Sequence, residues 1–234
     1  MKIPEHIRSN AEGYIALTAD TLDSLAFLHD NIGVKCELDL SQQSIEHLGD
    51  TLKWLYNHPD PEELFPDLIE TYAQLLAQYV ALVYLERCQC KWGIDSARRS
   101  AHFGQPFVDV VPTEPWRRYY PIHWQIALKN RDVVFSDRVW PLVRQVKDNL
   151  ASRERYEVLL AAIIEVVRTS REGAIRETEL LDVLSERGFA PNKAQFCAAA
   201  REFPKRVAAV LRKSGCFSKR PSDKAWRFKR GFVP

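Results

Sequence analysis

The C-terminal end of the sequence concentrates side chains that bind phosphate. From Lys193 onward the chain carries twelve Lys and Arg residues and two acids, Glu202 and Asp223, which gives a net charge of +10 over 42 residues. Ammonium and guanidinium groups at this density are typical of surfaces that neutralise a nucleic-acid backbone. Because solvation alone needs fewer charges than this, the pattern favours nucleic-acid binding over a merely soluble face.

A helix after Pro204 would present the first group of cations. Pro204 suits the first turn of a helix, since no amide donor is needed there, and Phe203 before it is biased toward extended backbone. The helix ends at Ser214-Gly215 and buries three apolar residues: Val207, Val210 and Leu211. Small alanines beside cations on its outer face allow close approach to the major groove. The predicted contacts on this helix are Lys205, Arg206, Ala209, Arg212 and Lys213.

A hairpin would present the second group. Cys216–Arg220 and Ala225–Arg230 predict two short strands, joined by the turn-forming residues 221–224. Aromatic residues give the hairpin an apolar side that packs on the helices: Phe217, Trp226 and Phe228. The predicted phosphate contacts here are Lys219, Arg220, Lys224, Arg227 and Lys229.

Further elements precede these in residues 151–234. Ser152–Thr169 has the apolar spacing of a helix, Gly173–Arg176 is extended, and Glu177 or Thr178 begins a helix that Arg187-Gly188 closes. Asn192 is predicted to cap a third helical stretch, which Pro204 interrupts. The order of helix, strand, helix, helix and hairpin is that of a winged helix.

With the stretch Arg206–Phe217, followed by Lys219-Arg220 and Trp226–Phe228, this domain resembles the winged-helix tails of phage and plasmid replication proteins. The resemblance implies a winged helix-turn-helix domain that binds duplex DNA. RNA is less favoured, because the stacking motifs of RNA modules are absent. Winged helices also serve as protein-interaction or dimerisation modules, and that alternative stays open.

The first 150 residues have the opposite charge. They carry 15 Lys and Arg against 21 Asp and Glu, a net −6, whereas residues 151–234 carry 18 against 10, a net +8. The total of +2 hides this difference, and 46% hydrophobic residues are enough to bury cores. We therefore predict two domains, an acidic one over 1–150 and a basic one over 151–234.

Apolar spacing in residues 1–150 indicates helices and strands in mixed order. Helices are predicted from Thr21 to Gly33, from Ser41 to Asn57, from Pro66 to Arg87 and within Asp132–Leu150, the last one broken near Pro141. Strands are predicted at Val34–Leu40, Lys91–Asp95, Pro106–Val111 and Ile122–Leu128. The fold class is therefore α+β, with a small, mainly antiparallel sheet packed on helices.

In the N-terminal domain, Tyr79-Val80-Ala81 lies on a long predicted helix and Cys90-Lys91-Trp92 on the next predicted strand. With these residues the domain loosely resembles a group of uncharacterised bacterial α+β proteins, some associated with toxin immunity. The resemblance implies a fold but no functional residues. Separately, we predict that this acidic domain serves in protein interaction or dimerisation.

One loop in the acidic domain interleaves basic and aromatic residues between Pro115 and Pro121. It contains Trp116, Arg117, Arg118 and Tyr119, which could stack on bases or bind phosphates as a secondary nucleic-acid or partner site. The alternative is that Trp116 and Tyr119 anchor the loop on the core while the arginines are solvated.

Catalytic and metal chemistry find little support in the sequence. There is no phosphate-binding glycine loop and no His-Glu-x-x-His pair, His102 has no second histidine near it in the sequence, and His123 faces the polar side of a predicted strand. Cys88 and Cys90 with His102 have the wrong spacing for zinc. No cofactor, no metal and no enzymatic activity are expected, although a nuclease built from scattered carboxylates remains an alternative.

The five cysteines form no regular framework, and residues 1–6 lack the apolar run of a signal peptide. These features predict a cytoplasmic protein without membrane contact. The leading hypothesis is a non-enzymatic DNA-binding accessory or regulatory protein, in a context such as a mobile element or a bacterial defence system. The alternative is an interaction or immunity-like protein that binds a basic partner through its acidic domain.

Overall fold

The computed structural model describes residues 3–59, 67–129, 136–170, 173–190, 197–220 and 224–233. The chain is mixed α+β, mostly helical, with two small antiparallel sheets. It divides into two compact units, the first made of Met1–Val110 with Trp116–Leu150 and the second of Val111–Pro115 with Ala151–Pro234.

Among its described residues, the first unit contains five complete α-helices and the first part of a longer helix, Ser136–Thr169. The five complete helices are α1 (Glu5–Leu17), α2 (Thr21–Ile32), α3 (Gln42–Asn57), α4 (Leu68–Arg87) and α5 (Pro121–Lys129). As predicted, α2 ends at Gly33, whose φ of +70° favours glycine, and Ser41 caps α3 by accepting from the Ser44 amide at 3.0 Å. The sequence patterns did not predict α1, because Ala11 is its one buried side chain and no apolar stripe marks it. Pro66, predicted in the first turn of α4, lies outside the described residues.

Helix α4 forms the centre of this unit. Thirteen of its twenty side chains are buried, and α2, α3 and α5 pack against it. By length and composition alone α4 could cross a membrane, but 72% of its most apolar window is buried inside the fold, as in the core helix of a globular unit. The helix predicted from Pro66 to Arg87 is therefore confirmed over Leu68–Arg87, and its wide buried face is that of a central helix.

A three-stranded antiparallel sheet lies beside these helices. Its strands are β1 (Trp92–Ile94), β2 (Pro106–Asp109) and β3 (Arg118–Tyr119), in the order β1-β2-β3. Val108 in the central strand is paired with Trp92 on one side and Tyr119 on the other. The predictions of strands near 91–95 and 106–111 are confirmed with shorter bounds.

Two other strand predictions are wrong. Ile122–Leu128 lies in helix α5, where Leu128 is buried and its carbonyl accepts from the Tyr56 hydroxyl. Val34–Leu40 does alternate between half-buried and exposed side chains, but in the described chain it pairs with no strand. Its backbone bonds elsewhere instead, since the Leu40 amide donates to the Tyr79 hydroxyl at 2.7 Å. Alternation correctly indicated which side chains face inward, but it does not supply a partner strand.

The two helices predicted around residue 150 are one. Helix α6 runs from Ser136 to Thr169 with Pro141 inside it, so neither a break at Pro141 nor a new start at Ser152 occurs. The apolar spacing of the two segments is continuous, because buried Val143 and Val146 are followed at helical spacing by half-buried Leu150 and buried Tyr156. The predicted start near Asp132 lies outside the described residues.

The second unit continues with β4 (Ala174–Arg176), α7 (Glu177–Glu186), α8 (Cys197–Lys213), β5 (Phe217–Lys219) and β6 (Ala225–Phe228). The strands form an antiparallel sheet in the order β4-β6-β5. The predicted extended piece, the helix closed at Gly188 and the hairpin are confirmed. Buried residues from each element make its core: Ile163, Ile175, Leu180, Leu184, Val207 and Trp226.

The prediction that Pro204 begins a new helix is wrong. Pro204 lies inside α8, and Phe203 is helical and only 7% exposed. Phe203 belongs to the same buried stripe as Val207 and Val210, so its burial stabilises the helical turn that the proline disfavours. Asn192, the predicted cap, lies outside the described residues.

Candidate nucleic-acid interface

Helix α8 has one buried face and one cationic face. Phe203, Val207, Val210 and Leu211 are buried, whereas four cations of this helix are exposed: Lys205, Arg206, Arg212 and Lys213. Lys205 and Arg212 are two helical turns apart, about 10 Å along the axis, and half-buried Ala208 and Ala209 lie between them. The outer face is therefore a shallow strip with a cation at each end, a shape that fits against a groove.

Two contacts hold the ends of this strip. The Lys205 ammonium lies 2.6 Å from the Glu202 carboxylate one turn earlier, and the Arg212 Nε donates to the Ala208 carbonyl at 3.0 Å. Arg206 and Lys213 have no side-chain hydrogen bond or ion pair among the described residues. Because both members of the Lys205–Glu202 pair are well exposed, the pair is weak and a phosphate can compete for the ammonium.

The hairpin continues the cationic surface. Lys219 lies on β5 opposite Trp226 on β6, and Lys224 follows the tip with a φ of +55°. The Lys219 ammonium lies 5.4 Å from the centre of the Trp226 ring, over its face. The tip residues 221–223 are outside the described part of the chain.

Glu177, which sequence reasoning did not single out, joins the hairpin to α7. One of its oxygens, Oε2, accepts from the Trp226 indole at 3.3 Å and from the Lys219 ammonium at 3.2 Å. Burial opposes ionisation of Glu177, but the hydrogen bonds from Trp226 and Lys219, together with the charges of Lys219 and Arg212, lower its pKa overall. The only sequence signal is an acid at the start of a helix in a basic domain, which is ordinary dipole pairing. Its two partners are identified only by the pairing of the strands in the folded chain.

The predicted DNA contacts all lie on α8 and the hairpin of the second unit. Eight of them are exposed: Lys205, Arg206, Arg212, Lys213, Lys219, Arg220, Lys224 and Lys229. Ala209 is half-buried, as expected for a small residue in the strip, and Arg227 is half-buried on β6. Lys219 differs from the expectation of a freely available cation, because Glu177 already holds it.

The basic-aromatic loop lies in the first unit and has mixed exposure. Tyr119 is fully buried on β3 and its hydroxyl donates to the Ala77 carbonyl at 2.9 Å, so it is an anchor and cannot stack on a base. Trp116 is 73% exposed, so the expectation that it anchors the loop is wrong. Arg118 lies 4.2 Å above the Phe107 ring and 3.6 Å from Asp109. Arg117, the second cation of the loop, is half-buried and also has an interaction within the fold.

A histidine pair that the sequence did not indicate lies near this loop. The His102 ring stacks on Tyr120 with centroids 4.1 Å apart, and the His123 ring lies 5.2 Å from His102. His102 has no second histidine near it along the sequence, but Pro121–Lys129 is a helix and its first turn brings His123 to the 95–105 loop. Burial, followed by the positive charge of His102, lowers the pKa of His123.

The carboxylate near this histidine pair belongs to Asp95 and is already used in hydrogen bonds. Asp95 is buried and accepts from Ser100 at 2.7 Å and from the Tyr120 hydroxyl at 2.9 Å. Burial opposes its ionisation, but these bonds and the Ala97 amide lower its pKa. Cys88 and Cys90 are buried, and the described residues contain no group of three His, Cys, Asp or Glu suited to a metal ion.

Comparison with the models of known protein families, with curated proteins and with solved structures gave no match. Function is therefore inferred from the charge, burial and topology of the chain itself.

Proposed function

We propose that residues 151–234 form a winged helix that binds duplex DNA, and that the protein is a non-enzymatic, cytoplasmic accessory or regulatory factor without cofactor. The topology supports this: a helix, a strand, two helices and a hairpin, with the first strand pairing with the last in the order β4-β6-β5. In winged helices the second helix of the helix-turn-helix enters the major groove and the hairpin contacts the backbone. Here those elements are α8 and β5-β6.

The observation that carries the proposal is the division of α8 into two faces. All four of its large apolar side chains are buried in the core, whereas Lys205, Arg206 and Arg212 are exposed beside the half-buried alanines. A basic surface needed only for solubility would carry interspersed acids. Glu202, the one acid among the described side chains of α8, is itself paired with Lys205.

The test is a salt titration of the full chain on a duplex oligonucleotide, followed by fluorescence anisotropy. If about six cations contact phosphates, the slope of log K against log salt is near −5. Reversal of three charges on α8 (K205E, R206E and R212E) is expected to abolish measurable binding. The matched control reverses three exposed cations of the first unit, Arg8, Lys35 and Lys91. Equal losses in both variants, or none in either, would contradict the proposal.

A second candidate function is protein binding through the acidic first unit, either to a basic partner or to a second copy of the chain. Large apolar side chains exposed on that unit favour it: Leu17, Phe27 and Trp54. Sedimentation of wild-type protein against Phe27→Ser distinguishes these options, since self-association through this surface would weaken in the variant.

A further inference from the structure

A cavity of about 400 Å³ opens in the second unit between α6 and α8. Its walls are apolar and come from three elements: Val158, Leu159, Phe189 and Phe203. Val158 is 54% exposed there, whereas Leu159 and Phe203 are buried. An apolar wall left open to solvent at this size is a common setting for small organic ligands, which occupy cavities of about 300–1,000 Å³.

The rim of the cavity is charged and has a net positive sign. The charged residues that line it are two arginines, Arg155 and Arg206, and one acid, Glu154. The Arg155 guanidinium is held by Ser152, to whose hydroxyl it donates at 3.0 Å. Within the described chain the Arg206 guanidinium has no partner. One oriented and one available guanidinium above apolar walls are complementary to an anionic head on an apolar body.

We propose that this cavity binds a small organic anion, an aromatic or aliphatic carboxylate or sulfonate. Its apolar body packs between Val158, Phe189 and Phe203, and its anionic group bonds to Arg206 with support from Arg155. Glu154 at the rim disfavours dianions such as phosphate esters, because it repels a second negative charge.

Binding there is expected to affect the DNA-facing helix, a consequence that rests on the proposed function. Phe203 and Arg206 belong to α8, the helix that carries Lys205 and Arg212. An anion on Arg206 removes one cation from the surface that would bind phosphate. The ligand should therefore weaken DNA binding by a few-fold and make the salt slope smaller by about one cation.

The experiment uses the full chain and the fluorescent probe 8-anilinonaphthalene-1-sulfonate, which has an apolar body and one anionic group. A saturable rise in emission at one probe per chain is expected. Val158→Asp places a charge in the apolar wall and should abolish binding, and Arg206→Gln should weaken it about fivefold. The neutral analogue without the sulfonate should be insensitive to Arg206→Gln.

Matched controls separate the cavity from diffuse effects. Arg212→Gln removes the same charge from the same helix outside the cavity, and Ile126→Asp alters an equally exposed apolar side chain of the first unit. Equal weakening by Arg212→Gln, or retained binding in Val158→Asp, would overturn the proposal. So would sedimentation showing that Val158→Asp converts a dimer to a monomer, because the cavity would then be a contact between copies. Probe binding without any DNA binding would refute the proposed function alone.

Discussion

We expect Glu177 to stabilise the fold of the second unit and to weaken its DNA binding. Its carboxylate holds Lys219 and Trp226 together, and it also places a negative charge within a cationic surface. Replacement by Gln keeps the shape and removes the charge. We expect Glu177→Gln to lower the free energy of unfolding by about 1 kcal/mol, a value discounted for solvent exposure, and to tighten DNA binding two- to threefold.

The stability that Glu177 contributes depends on pH. Because the pKa of Glu177 is lower in the folded state, its stabilisation is present above about pH 4.3 and is lost as the pH falls through the folded value. Urea denaturation of wild type between pH 6 and pH 3 should show this loss, and Glu177→Gln should lack it. Asp182→Asn, an exposed change on the same helix, is the control. If both variants follow the wild-type curve, Glu177 makes no such contribution.

The titration of His123 depends on its histidine neighbour. Its pKa is lowered by burial and then by the charge of His102, so His123 should titrate below the usual value near 6.5. Titration of the ring protons by NMR measures this directly. In His102→Gln, which retains bulk without charge, the His123 pKa should rise, and in His102→Ala it should rise further because burial also decreases. An unchanged value in both variants would show that the rings do not interact in solution.

Among the elements, those with an explicit boundary signal could be predicted from the sequence. Gly33 ends α2 and Ser41 caps α3 in the structure, because the αL conformation and the side-chain cap are local properties. The nine residues of α5 have no boundary signal of this kind. Alternating apolar residues over this length fit a helix that buries Leu128 as well as a strand, and only packing against α4 decides between them.

In the candidate site, too, some residues could be predicted from the sequence and others could not. The cations of α8 could be predicted because helical spacing alone places Val207 and Val210 inward and Lys205 outward. Glu177 and the His102–His123 pair could not be, because each depends on residues brought together by tertiary contacts more than twenty positions apart.

Pro204 lowers the stability of helix α8. Inside α8 it lacks the amide that would bond one turn back, so Pro204→Ala restores a backbone hydrogen bond. We expect stabilisation of about 1–2 kcal/mol, after the entropy that alanine adds to the unfolded chain. Urea denaturation and slower hydrogen exchange of the α8 amides measure it. A neutral or destabilising result would instead place Pro204 in the first turn of a separate helix.

At the scale of the whole molecule, the total charge of +2 is a poor guide to behaviour. The residues before and after 150 differ by fourteen charges, −6 against +8, and the compact units also change over between Leu150 and Ala151. Screening at 0.1 M salt reduces interactions between exposed charges beyond about 10 Å. A DNA duplex on α8 would therefore respond to the local cations rather than to the sum, which is why the salt titration is more informative than the isoelectric point.

The unpaired segment Val34–Leu40 has a consequence for handling the protein. Half-buried Val34, Cys36 and Leu38 alternate with exposed residues, a pattern like that of a sheet edge, which is a template for pairing between chains. The exposed residues between and after them are charged (Lys35, Glu37 and Asp39), and the Arg87 guanidinium donates to the Asp39 carbonyl at 3.3 Å. We therefore expect these three surface charges, which take no part in the core, to oppose association between chains at this segment.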